Sequence, residues 1–304
     1  MTVGAPQEAG SDHGRAGLTR RCLPHADRMR LVVRLGAVAA YVVSVIALVV
    51  WPPLTALIFL ATWPLDRHHV LASRFYMLLP ALWSRSFPFW RIRFEGAWPA
   101  AGGPFVIAPN HQSFLDIFVL CNICREWKWV AKQELFKIPF FGWGFSLTGS
   151  ISLERGDLAS TKKVTQKAHR CIADGLSVLM FPEGTRSADG SLLPFRPGAF
   201  RFAIETGASV LPIAISGTAE GLPRGGLRIH PATIVVRILE PVPTVGLTTR
   251  DTRQLRDRVR DRIARALGQD TAPVSAVASP AAAGAVGLQV PAASLPPKSA
   301  AVEV

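Results

Sequence analysis

The alternation of apolar and polar positions divides the chain into unequal parts. From Leu31 to Trp63 it is apolar almost without interruption, broken only by Arg34 and the pair Pro52-Pro53. The 30 residues before this run are polar and patternless, and the expectation there is a mobile leader. Drawn as one helix, Leu35 to Trp63 would extend about 44 Å, beyond the roughly 30 Å of a hydrocarbon core. Two adjacent prolines should break such a helix. Arginines stand on both sides, Arg20, Arg21, Arg28, Arg30 and Arg34 before it and Arg67, Arg74, Arg85, Arg91 and Arg93 after it. Basic flanks at both ends favour a membrane hairpin that enters and leaves by the cytoplasmic face, with a single tilted span as the alternative. The stretch Arg74 to Trp90 mixes aromatic residues with arginine and proline, a texture suited to a headgroup interface, so residues 31–93 read as a membrane-embedded and interfacial segment.

Beyond about Phe94 the texture changes. Short apolar runs at 105–108, 128–131, 151–153, 177–181, 209–215 and 233–239 have the length of strands, and helix-length segments at 112–124, 158–174 and 198–206 lie between several of them. Such alternation predicts an α/β domain over residues 94–246, a mixed sheet flanked by helices. Pro212 inside the fifth run suggests a strand at an edge or along a pocket wall. Residues 247–268 predict an Arg-rich amphipathic helix docked by a narrow stripe of Leu255, Val259, Ile263 and Leu267. Residues 269–304, almost entirely Ala, Pro, Val, Ser and Gly, predict a disordered tail.

Composition narrows the picture. Apolar residues make up 49% of the 304, mean hydropathy is +0.27 and charged residues are 18%. That is too hydrophobic for an ordinary soluble binding module and too charged for a multi-span transporter. The formal charge of +13 favours an anionic partner. The excess is spread along the chain rather than gathered in one arm, which argues for phosphates or lipid headgroups over nucleic acid. Four cysteines make no disulfide framework, and reduced thiols are expected. Cys121 and Cys124 have redox-motif spacing, but their apolar surroundings read as two small core residues on a helix.

Two segments that follow strands carry the chemistry. In Pro109-Asn-His-Gln-Ser-Phe-Leu-Asp116 a histidine precedes an aspartate by five residues. On one regular helix the two side chains would diverge. They meet only if His111 lies in the loop and Asp116 just inside the helix, where the carboxylate fixes the imidazole tautomer and frees the other nitrogen as a base. In Phe181-Pro-Glu-Gly-Thr-Arg-Ser187, Gly184 permits close backbone approach, and Thr185 and Arg186 can bind a phosphate or carboxylate. Taken alone, each segment could equally be a capped helix start or an exposed turn.

With Gly149-Ser-Ile-Ser-Leu-Glu-Arg155 and Val210-Leu-Pro-Ile-Ala-Ile-Ser-Gly217 these segments, in this order, make the chain resemble the glycerolipid acyltransferases, specifically the 1-acyl-sn-glycerol-3-phosphate acyltransferase family. The resemblance runs from about Trp90 to Pro241 and includes Val130-Ala-Lys-Gln-Glu-Leu-Phe-Lys-Ile-Pro-Phe-Phe-Gly142 and Gly198-Ala-Phe200. It implies that His111 is the general base and Asp116 its orienting partner. It also implies that Glu183, Gly184, Thr185 and Arg186 form a glycerol-phosphate site, with Arg155 and Lys132 as further phosphate cations. Ser113 is not expected to be a nucleophile, because no Gly-x-Ser-x-Gly elbow surrounds it. Glu154 and Arg196-Pro197 depart from the family pattern, the second removing one possible basic contact.

The implied reaction moves a fatty acyl chain from acyl-CoA or acyl-carrier protein to the sn-2 hydroxyl of lysophosphatidate, giving phosphatidate. It needs no metal or other cofactor and passes through no acyl-enzyme. Expected partners are membrane lipids, the acyl donor and lysophosphatidate, without nucleic acid, at the cytoplasmic face of the cell membrane through residues 31–63. The alternatives are transfer to another lysolipid, such as a lyso-ornithine lipid or a lysophospholipid, and a catalytically silent lipid-binding protein.

Overall fold

A computed structural model describes residues 25–100, 103–154, 158–225 and 229–269. The first 24 residues of the expected mobile leader and, from 270 onward, the expected disordered tail lie outside the described residues, while residues 25–30, also assigned to the leader, are helical. The chain starts with helix α1 (His25–Thr62), which carries Pro52 and Pro53 inside it. The expected break at the proline pair therefore does not occur. The hairpin forms about two and a half turns later, where residues 63–69 reverse the chain into α2 (Val70–Arg85). Tertiary contacts override the local penalty. The Trp51 and Phe75 rings stack at 4.5 Å, and the Trp51 indole donates to the Phe75 carbonyl at 3.1 Å. The Asp66 carboxylate accepts from the Val70 and Leu71 amides and so caps α2.

Among the described residues no helix is long and apolar enough to cross a membrane, so the expected membrane-spanning element is not supported. The stretch read as interfacial is split. Ala72, Tyr76, Met77 and Ala81 of α2 are buried against the domain, while Leu71, Leu78 and Leu82 are exposed. The sheet also starts earlier than expected, with β1 (Trp90–Glu95) beginning at the last residue of that stretch.

The remaining elements are β2 (Val106–Pro109), α3 (Leu115–Leu120), β3 (Trp127–Lys132), α4 (Gln133–Phe136), α5 (Phe141–Leu147), β4 (Ile151–Leu153), α6 (Leu158–Ala173), β5 (Ser177–Leu179), α7 (Gly198–Thr206), β6 (Val210–Ser216), α8 (Thr218–Gly221), β7 (Ala232–Ile238) and α9 (Thr252–Leu267). They form a seven-stranded mixed sheet in the order β1-β7-β6-β2-β5-β3-β4. The five strands from β6 to β4 run parallel, and β7 joins β6 antiparallel.

Period-two alternation separates the two cores. Ile107 of β2 and Leu211, Ile213 and Ile215 of β6 face α2, α3 and α5, whereas Val106, Ala108, Val210 and Ala214 face α6, α7 and α9. Strands covered on both faces read as continuous apolar runs, which is why the sequence shows them so plainly.

Pro212 lies in a central strand rather than at an edge. Its carbonyl accepts from the Leu239 amide, on the side where β7 has already ended at Ile238. A missing N–H on that side interrupts no ladder. Cys121 is buried, as expected, but Cys124 is exposed and ends a short 3-10 turn at φ 56. Burial, with the neighbouring Cys124 thiol adding to it, pushes the Cys121 thiol well above its ordinary pKa.

Candidate active site

Parallel strands deliver their carboxyl ends to one edge, so the residues that follow β6, β2, β5, β3 and β4 come together there. From β2 the chain crosses through α3 to β3 on one side. From β5 it crosses β2 to reach β6 on the other. In open α/β sheets the crevice outside such a reversal is where ligands bind. His111 follows β2, Glu183 to Arg186 follow β5, and Lys132 ends β3. Arg155 follows β4 in sequence but lies outside the described residues.

The geometry of the first motif is the one its spacing requires. His111 occupies the loop and Asp116 the first turn of α3, and the imidazole Nδ1 lies 2.7 Å from Asp116 Oδ2. The same oxygen accepts from the Gln112 amide at 2.7 Å and the Ser113 amide at 2.8 Å. An oxygen already engaged by two donors faces Nδ1 as an acceptor, which places the histidine proton on Nδ1 and leaves the Nε2 lone pair for substrate. Asp116 is 0% exposed, while the imidazole keeps 15% of its surface accessible. Its ring stacks on Phe181, centroids 3.9 Å apart, and Phe181 in turn stacks on Trp129 at 6.4 Å. Phe181 opens the second motif, whereas Trp129 carries no local signature that would mark it in the sequence.

The other polar residues of the motif are braces. Asn110, 1% exposed, donates to the Ile215 carbonyl and accepts from the Ile215 amide, continuing the β2–β6 ladder past its end with a side chain. Ser113 is fully buried; its hydroxyl donates to the Leu222 carbonyl at 2.6 Å and accepts from the Leu115 amide at 3.1 Å. A hydroxyl so occupied is no nucleophile. Gln112 donates to the Gly190 carbonyl at 2.9 Å, fastening the loop that follows β5.

The second motif divides at Gly184, which adopts φ 68, a left-handed conformation that glycine enters without steric cost. Before it, Glu183 turns inward. Its Oε1 accepts from the His111 amide at 2.8 Å and its Oε2 from the Leu193 amide at 3.2 Å. Burial pushes the Glu183 carboxyl up to about 7, only partly offset by those amides and by Arg260, while the Asp116 charge raises it further. After Gly184 the chain turns outward. Thr185 is exposed and Arg186 half-buried, and the Arg186 carbonyl accepts from the Arg224 guanidinium at 2.9 Å. The Ser187 amide donates to the His111 carbonyl at 2.9 Å, so this loop grips the histidine backbone on both sides. Glu183 thus serves the histidine loop, and Thr185 and Arg186 follow at the carboxyl end of β5 with accessible side chains. Among the described residues, neither the Arg186 guanidinium nor the exposed Lys132 ammonium has a hydrogen-bond or ion-pair partner, which leaves both free for an anion.

Residues 91–216 match the Acyltransferase family model. The chain is 38% identical over 156 residues to the chloroplastic 1-acyl-sn-glycerol-3-phosphate acyltransferase LPAT1 of Arabidopsis thaliana, covering 50% of this chain and 44% of that one. It is 35% identical over 205 residues to a 1-acyl-sn-glycerol-3-phosphate acyltransferase of Chlamydomonas reinhardtii, covering 66% and 60%. To the human 1-acyl-sn-glycerol-3-phosphate acyltransferase alpha it is 37% identical over 164 residues, covering 52% and 56%. The chain therefore spans about half the length of the curated relatives it matches. The crystal structure of the 1-acyl-sn-glycerophosphate acyltransferase PlsC of Thermotoga maritima superposes with a TM-score of 0.63 at 24% identity, covering 80% of this chain and 99% of that one, and shares the fold.

Proposed function

We propose that this chain is a 1-acyl-sn-glycerol-3-phosphate acyltransferase, which transfers a fatty acyl group to the free hydroxyl of lysophosphatidate and forms phosphatidate. The observation that carries the reading is the pair itself: a solvent-reachable imidazole held by a fully buried carboxylate at the carboxyl edge of the sheet.

In this reading Nε2 of His111 takes the proton as the acceptor oxygen forms its bond to the thioester carbonyl carbon. Asp116 stabilises the resulting imidazolium through Nδ1. As the tetrahedral adduct collapses the carbon–sulfur bond breaks, and the imidazolium returns its proton to the departing thiolate. Acyl group and proton are both accounted for, and no residue of the protein is acylated. Arg186 and Lys132 would neutralise the acceptor phosphate, with Arg155 as a third cation on the strength of the resemblance. The donor would be acyl-CoA or acyl-carrier protein, and the residues require no metal or other cofactor.

Access to a lipid substrate would come through the helical hairpin. Val38, Val42, Val45 and Val49 recur along α1 and are all exposed, and Leu78 and Leu82 of α2 are exposed as well. Apolar faces of this extent suit a protein lying on a membrane surface, and Arg67 and Arg85 at the ends of the hairpin turn and α2 suit an anionic headgroup layer.

The test is acyl transfer by purified protein on phospholipid vesicles containing, one at a time, lysophosphatidate, a lyso-ornithine lipid and a zwitterionic lysophospholipid, with acyl-CoA and acyl-carrier protein as alternative donors. Preferential turnover of lysophosphatidate supports the proposal. Transfer to another lysolipid alone, or to none, overturns it.

A further inference from the structure

The matched acyltransferase region ends at residue 216, and α9 lies beyond it. As expected, the helix docks by its stripe: Leu255, Val259 and Ile263 are fully buried. What the stripe does not account for is a pair of polar side chains that reach from α9 toward the catalytic edge. Arg260 Nη2 donates to the Leu192 carbonyl at 3.3 Å. Gln269 accepts from the Leu192 amide at 2.8 Å and donates to the Gly190 carbonyl at 3.1 Å. Gly268, in the left-handed conformation at φ 66, closes the helix and turns Gln269 back so that its amide meets that loop.

The bonds continue without a gap from there to the histidine. The Gly190 carbonyl is shared by Gln269 and Gln112, the neighbour of His111. The Leu193 amide donates to Glu183, whose other oxygen holds the His111 amide. At the loop's near end Ser187 holds the His111 carbonyl, and Asp189 ties Ser187 to Ser191, so the 187–193 segment is braced internally. We propose that α9 sets the position of the catalytic histidine, with Arg260 and Gln269 as positioning residues that hold the 187–193 loop, and through it Glu183, against the His111 backbone.

Charge supports the geometry. Arg260 is the cation that favours ionised Glu183, against burial and against Asp116, and only the ionised carboxylate can accept both amides at full strength. Loss of Arg260 would therefore loosen the loop in two ways, by removing the bond to Leu192 and by favouring a protonated Glu183.

The inference rests on His111 being the base, so its test includes a readout independent of turnover. Arg260→Met and Gln269→Ala leave every buried apolar residue of α9 in place, and Gln269→Ala carries the test if Arg260→Met lowers thermal stability sharply. Hydrogen–deuterium exchange should quicken in peptides covering 109–113 and 187–193 in both variants, with β7 unchanged. Turnover number should fall about ten- to hundredfold, the scale of a small misplacement of a catalytic group, while KM for the lysolipid stays within about twofold. The acid limb of the pH–rate profile should move upward in Arg260→Met and stay near its wild-type position in Arg260→Lys, a distinction a purely structural role would not make. Arg262→Ala, whose guanidinium reaches the Glu240 carbonyl elsewhere, should change neither readout. Unchanged exchange at 109–113 together with a turnover number within about twofold of wild type overturns the inference. Quickened exchange in the variants, with a wild-type protein that transfers no acyl group to any lysolipid, would instead sink the proposed function and leave the positioning role standing.

Discussion

Replacing Asp116 with asparagine removes one charge and almost no volume, which makes it the sharpest probe of the histidine's support. Asp116 Oδ2 accepts three hydrogen bonds, from His111 Nδ1, Gln112 N and Ser113 N, all within 2.8 Å and in a fully buried position. Bonds to a charged acceptor contribute about 1.5 to 3 kcal/mol each and neutral ones about 0.5 to 1.5, so the three together weaken by about 3 kcal/mol. The amide nitrogen adds a second cost. It must take the place of Oδ1, which is buried with no hydrogen-bond partner among the described residues, and an unmet buried donor costs a further 1 to 3 kcal/mol or so. Unfolding free energy should therefore drop by at least about 3 kcal/mol in urea denaturation. Turnover should drop by about 10² to 10⁴, because the imidazolium formed in the transition state faces a dipole instead of a charge. KM should stay close to wild type, since a carboxylate with no exposed surface touches no substrate. A folded Asp116→Asn protein with a turnover number within tenfold of wild type would refute the argument.

Three further expectations follow from neighbouring contacts. Ser113→Ala should keep a turnover number within about tenfold of wild type while losing about 1 to 2 kcal/mol of stability, because its hydroxyl links Leu115 and Leu222 and attacks nothing; loss of all turnover in a folded protein would restore it as a nucleophile. Arg186→Ala should raise KM for lysophosphatidate by the equivalent of about 1.5 to 3 kcal/mol, with Arg186→Lys recovering only part, and an equal effect on an uncharged acceptor would show that Arg186 holds the loop instead of the phosphate. Glu183, raised from 4.5 to about 7 by burial, contributes stability that is complete below the unfolded value and lost as pH rises through the folded one. The unfolding free energy of wild type relative to Glu183→Gln should therefore fall between about pH 4.5 and 7, by up to about 3 kcal/mol, and a flat difference across that window would contradict the assignment.

Much of the fold is legible because its signals are local. The strands after Val106, Ser177 and Val210 are covered on both faces, so they stand out as short apolar runs between glycines and polar turns. The stripe of α9 shows at four-residue spacing, and its three leading members are buried as that spacing demands. His111 and Asp116 are legible for a related reason, since five residues fit a loop-to-helix pair and nothing else that would let them meet.

The features that escaped the sequence depend on distant partners. Nothing near Pro52-Pro53 announces the contacts that Trp51 makes with Phe75 across the hairpin. Pro212 reads as an edge residue until β7 is seen to end beside it. Glu183, placed at the phosphate by resemblance, turns inward because two backbone amides await it there, one of them 72 residues earlier in the chain. Arg260 and Gln269 look like members of a solvated helix and its cap, and only the loop packed across from them reveals their use.

The central claim is that His111 acts as the base in direct acyl transfer. Its most direct test is the single-turnover rate of His111→Ala on vesicles containing lysophosphatidate, measured beside wild type with matched thermal stability and vesicle binding. The expected rate is lower by about 10² to 10⁴ or more, the usual contribution of a general base, with no acylated protein trapped in either case. A folded, vesicle-bound His111→Ala protein that transfers acyl groups near the wild-type rate would contradict it.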